Sequence, residues 1–185
     1  MIRRAAAATA LAAAGLLVAA GCGGAPQGPR DIVLLSVDTL RPDHLGCYGD
    51  PAARTPFWDA LARRGVQFRE ALAPAPFTLP SHASLLTGED PPAHGARANG
   101  SRALAPSGPM LAELLTDAGF RSAAFAAATV LDSTSGLTPG FEIFEWQDHP
   151  GQTERPAESV ARSAREWLRE LDGGRAFLFL HFYDP

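Results

Sequence analysis

Two nearly unbroken apolar runs, at residues 32–36 and 176–183, constrain the fold of this chain most. The first lies in DIVLLSVDTL, the second reads AFLFLHFY. A strand with one wet face alternates apolar and polar residues. A run that stays apolar is covered on both faces, as strands of a parallel sheet are. Helical signals fill the space between. Thr55-Pro56 supplies an N-cap and a first-position proline, Phe57, Ala60 and Leu61 give an apolar face, and Gly65 stops the helix. Residues 66–70 read as a short strand. A second helix is predicted from about Ser81, carrying Ala83, Leu85 and Leu86, and a third over 109–118, closed by Gly119. Residues 120–128 form a small-residue strand. The helix over 156–171 has the clearest stripe, Val160, Ala164, Trp167, Leu168 and Leu171, and ends at Gly173-Gly174. Strands separated by helices imply right-handed crossovers and an α/β fold, a mostly parallel sheet sandwiched by helices. Sites on such sheets gather at the carboxyl ends of the strands.

The first 30 residues have a different composition. Residues 1–21 begin with Arg3 and Arg4, continue in an uncharged alanine, leucine and valine stretch, and end in small residues before Cys22. This is an export signal pattern. Val18-Ala19-Ala20-Gly21-Cys22 resembles a bacterial lipoprotein box, which implies cleavage before Cys22 and lipidation of its thiol. An uncut membrane anchor is the alternative. Either places the body outside the cytoplasm and on a membrane, at the periplasmic or cell-surface side. Residues 22–30, rich in glycine and proline, read as a flexible tether. The body is residues 31–185.

Charge excludes several mechanisms. The 16 basic residues are all arginine, against 20 acidic ones, for a net charge of −4. Without lysine there is no Schiff-base chemistry and no Walker-type phosphate loop. A mildly acidic chain does not suit nucleic acid as a partner. Two cysteines cannot build a disulfide scaffold, and Cys47 reads as a small packed residue.

Two positions carry candidate chemistry. Asp38 stands where the first strand exits, and a carboxylate there suits a hard divalent ion, calcium, magnesium, manganese or zinc. A turn-capping aspartate is the alternative. Thr78 precedes Leu79-Pro80-Ser81, where Pro80 enforces an extended approach and Ser81 can cap a helix. A hydroxyl just ahead of a helix N-terminus lies where an anion is favoured. Bound to a metal, it could attack a tetrahedral ester. An ordinary loop threonine is the alternative.

The blocks VDTLRPDHLGCYG, TPFWDALARRGVQF, APAPFTLPSHASLLTG and MLAELLTDAGFRSAAF together resemble the sulfatase family of the alkaline phosphatase superfamily, in order and spacing. The resemblance spans residues 31–185. It implies an alkaline-phosphatase-like fold, a divalent metal held by Asp38 and Thr78, Thr78 as nucleophile, and Arg41 and His82 near the bound anion. It implies hydrolysis of sulfate or phosphate esters, with a small molecule, glycan or lipid as the organic part.

The departures are chemical. The family's usual nucleophile is a cysteine or serine oxidised to formylglycine, followed by proline and then arginine. Here threonine stands in that place, and its β-methyl would yield a ketone rather than an aldehyde. His82 replaces the arginine, and Asp38-Thr39 replaces a frequent aspartate pair. Threonine points instead to relatives that handle phosphate, phosphodiesterases and phosphoglycerol or phosphoethanolamine transferases. Such relatives continue past HFYDP with further metal ligands, so residues 31–185 are expected to be the N-terminal part of a C-terminally truncated domain. The alternative is a non-catalytic surface lipoprotein that retains the fold.

Overall fold

The structure is a computed structural model and describes residues 31–101, 104–148 and 150–184. The expected signal, the tether and Cys22 lie outside the described residues.

Four strands build one sheet: β1 (Asp31–Val37), β2 (Phe120–Phe125), β3 (Ile143–Glu145) and β4 (Arg175–Phe182). Their order is β1-β4-β2-β3, and every neighbouring pair is parallel. Each apolar run therefore has a distinct place. β4 is central, paired on both sides, and its six residues from Ala176 to His181 are all buried. β1 is an edge strand, as β3 is at the other end, and Val33 there is 57% exposed. The two runs read alike in sequence, and only the sheet order separates them.

Helices cover both faces, as the sequence predicts. The helices are α1 (Pro56–Arg64), α2 (Thr78–Thr87), α3 (Pro91–His94), α4 (Leu111–Asp117) and α5 (Ala157–Glu170). On one face Leu79, Ala83 and Leu86 of α2 and Ala112 of α4 pack with Phe120, Phe177 and Phe179. On the other, Val160, Ala164 and Trp167 of α5 pack on Phe125, Leu178 and Leu180. Alternate residues of β4 thus feed opposite cores, as a period of two requires. Leu171 joins the second cluster while Leu168 stays 40% exposed, at the margin of the predicted stripe.

Four local expectations are corrected. Residues 66–70 form no strand: no neighbouring strand pairs with them, and Val66 and Phe68 are 81% and 70% exposed. The apolar side of α1 is not buried, because the helix packs on the short turn Gly46–Tyr48 rather than on the sheet. The second helix begins at Thr78, with Phe77 as N-cap, so Ser81 lies inside it and caps nothing. Proline is tolerated in a first turn because its missing N–H has no intrahelical partner to lose. At Thr55 the hydroxyl accepts from Gly46 N at 3.0 Å and donates to Asp59 rather than capping α1.

Candidate functional site

At the carboxyl end of β1 the backbone N–H of Asp38 donates to Phe182 O at 2.8 Å, extending the pairing one residue past the strand. Thr39 then turns the chain with φ 57°, a left-handed conformation costly for a β-branched residue. The turn leaves the Asp38 carboxylate facing the start of α2. There the Thr78 hydroxyl donates to Asp38 Oδ2 at 3.0 Å. Two residues 40 positions apart thus form one pair, the two that the sequence singled out.

Thr78 is the first residue of α2, so the helix N-terminus sits against the pair. The Leu79 N–H is taken by the Asn99 side chain at 3.0 Å, and residue 80 has no N–H to give. An open cleft of about 410 Å³ lies over this corner, lined by Ser36, Asp38, Thr78, His82, Asn99 and Tyr183 among others.

His82 lines the floor of this cleft: it is 6% exposed and sits beneath Thr78. Its Nδ1–H donates to the Thr78 carbonyl at 2.7 Å, which leaves Nε2 to accept from the Ser36 hydroxyl at 2.9 Å. Burial lowers its pKa, opposed by the Thr78 carbonyl and Asp38, and the same network suits a neutral ring. His82 thus ties the first turn of α2 to β1. Arg41 is not brought to the cleft. Its guanidinium is 67% exposed and pairs with Asp43. A charge pair two residues apart is local and well solvated.

Sequence reasoning gave no role to His181, the side chain beneath the pair. It is fully buried, opposite Ser36 in the β1–β4 register. The Ala127 N–H donates to its Nδ1 at 3.3 Å, so the proton sits on Nε2, 3.5 Å from Asp38 Oδ2. That distance is beyond a hydrogen bond, and Nε2 has no hydrogen-bond partner. Burial, with the neighbouring His82, pushes the His181 pKa down to about 4, against the pull of Asp38. The available signal was a histidine interrupting an otherwise apolar run.

Asp38 and Thr78 offer one carboxylate and one hydroxyl, oxygen donors of the right kind for a divalent ion. They fall short in number: no group of three or more His, Cys, Asp or Glu is placed to hold an ion among the described residues.

A parallel sheet between helices, with a carboxylate and a hydroxyl paired at its carboxyl edge, makes this an α/β domain with its candidate site where α/β sheets place theirs. The chain belongs to the sulfatase family, whose profile matches residues 30–185. It is 40% identical over 114 residues to the steryl-sulfatase of Mus musculus, a stretch covering 56% of this chain and 18% of that protein. The phosphonate monoester hydrolase of Agrobacterium radiobacter has a similar structure, with a TM-score of 0.70 and 24% identity, covering 85% of this chain and 41% of that one. The C-terminal periplasmic domain of an Escherichia coli protein, solved with zinc, matches with a TM-score of 0.63 and 17% identity over 84% of this chain and 43% of that one. The chain spans less than half the length of each of these three proteins.

Proposed function

We propose that this chain carries the nucleophile-bearing part of a metal-dependent hydrolase or transferase of phosphate or sulfate esters, with Thr78 as direct nucleophile. The observation behind this reading is the Thr78 hydroxyl bonded to Asp38 at the head of α2, open to the cleft. Asp38 orients the Thr78 oxygen and accepts its proton as that oxygen bonds to the phosphorus or sulfur. The bond to the departing alcohol breaks, and its oxygen takes a proton from solvent. Water or an acceptor alcohol then attacks the threonine ester and loses its proton to solvent, replacing the one taken in the first step, while the bond to the Thr78 oxygen breaks and that oxygen takes back the Asp38 proton. The positive end of α2 favours the anionic ester throughout. Asp38 and Thr78 would supply two oxygen ligands to a divalent ion, the others coming from outside the described residues. Such an ion, when bound, supplies positive charge and acidifies the attacking hydroxyl.

Threonine cannot become the formylglycine aldehyde, which favours phosphate or phosphonate esters over sulfate. The organic part is a small molecule, glycan or lipid. The leader favours an exported lipoprotein, anchored through Cys22 on the periplasmic or cell-surface side.

The test assays the full-length protein on nitrophenyl phosphodiester, monoester and sulfate, with added divalent metals. Thr78→Ala is expected to lose about 10³-fold or more in turnover, as nucleophile deletions do. Unchanged turnover in that variant removes Thr78 from the mechanism, and a preference for the sulfate overturns the phosphate assignment. The sparse donor set favours a second reading, a non-catalytic surface lipoprotein. Absence of turnover with every metal and ester would select it.

A further inference from the structure

Arg155 is 1% exposed, and its charge is matched on one side only. Nη2 donates to Asp148 Oδ1 at 2.8 Å and to Ser163 Oγ at 3.0 Å, with Glu145 Oε2 3.7 Å away. Nε and Nη1 are buried with no hydrogen-bond partner. Burying a guanidinium with unpaired N–H groups is costly, so its presence here calls for a reason.

The backbone around Arg155 supplies one. Its N–H donates to the Ala127 carbonyl at 2.8 Å, Thr129 N donates to Thr153 O at 3.1 Å, and Ala128 bridges Glu154 in antiparallel sense. On the other side, Ala126 N donates to Glu145 O at 2.8 Å. The segment after β2 is therefore held between the end of β3 and residues 153–155. From its middle, the Ala127 N–H reaches His181 Nδ1 and fixes which imidazole nitrogen faces Asp38.

We propose that Arg155 is a positioning residue for His181: its guanidinium, clamped on Asp148 and on Ser163 of α5, holds residues 153–155 against 127–129 and keeps the Ala127 N–H aimed at the imidazole. The chain of contact runs from Arg155 through Ala127 and His181 to Asp38 and the nucleophile. Its catalytic meaning rests on the ester-transfer reading above, but the test reads the imidazole itself and needs no substrate.

The experiment records the ring nitrogens of the full chain labelled with 15N-histidine at neutral pH. Buried His94 is the internal reference, since its Nδ1 accepts from Ala96 N at 3.2 Å without involving Arg155. The wild type is expected to show a His181 ring with unprotonated Nδ1 and protonated Nε2. In Arg155→Met that pattern averages toward a tautomer mixture while His94 holds, and Arg155→Lys recovers part of it. An unchanged His181 pattern in Arg155→Met, with His94 intact, overturns the proposal. If Arg155→Met loses the His94 pattern by unfolding, Asp148→Asn decides. A partial shift of His181 in the same direction supports the clamp, and an unchanged His181 overturns it.

Discussion

His181 is held neutral under the Thr78–Asp38 pair, and the consequence is measurable in stability. Its pKa falls from 6.5 to about 4 on folding, chiefly through burial. The unfolded chain therefore binds more protons than the folded one between those values, so stability rises with pH across that window. Folding is expected to lose on the order of 3 kcal/mol from this group as pH falls from about 7 to 4. Burial of His82 adds in the same direction. Urea unfolding at successive pH values checks the sign, and the slope should flatten in His181→Asn. Stability that is flat from pH 7 to 4 would contradict the neutral buried ring. Ser36, Asp38 and His181 share one corner because β1 positions two apart face the same way and the register sets Ser36 against His181.

At the level of elements, the start of α4 depends on a loop far from it in sequence. A Cβ at Gly140 would lie 2.2 Å from Glu113 N and 2.5 Å from Ala112 C, and the residue has φ +84°. Both space and backbone conformation demand glycine there. Gly140→Ala is expected to cost more than about 2 kcal/mol, read as a drop in denaturant midpoint. Glu113 secures the same turn by accepting from the Met110 N–H at 2.8 Å. Glu113→Ala should cost about 1 kcal/mol, a smaller drop, since water can reach part of that donor. Midpoint losses in the reverse order would mean that the cap, not the loop approach, holds α4. α2 shows the same local logic at the site: the extended Phe77 ends the preceding loop, and Thr78 becomes the first helical residue rather than the last loop residue.

At the scale of the molecule, β1 is an edge strand, and the residues following α1 leave Val66, Phe68 and Leu72 exposed. The corner that pairs Asp38 with Thr78 lies at that same edge, where β1 ends. The proposed anchor belongs to this scale too. Growth with a labelled fatty acid should tag the protein at Cys22, and Cys22→Ala should abolish the label. Label persisting in that variant would discard the lipoprotein assignment.

The amino-acid sequence by itself determined the α/β class, the places of β1 and β4 and the first part of β2, the stripe of α5, and the two residues, Asp38 and Thr78, that pair at the sheet's end. Each is written in local terms: apolar period, glycine stops, or motif blocks in a fixed order. Tertiary structure alone decided that β4 is central and β1 an edge, that Arg41 turns to Asp43, that His82 lies beneath Thr78, and that His181, Asn99 and Ser36 complete the corner. Local pattern says which face of a strand is apolar but not which strand it meets. Parallel pairing joins segments more than 100 residues apart, and the side chains that converge at a sheet's end follow from that pairing alone.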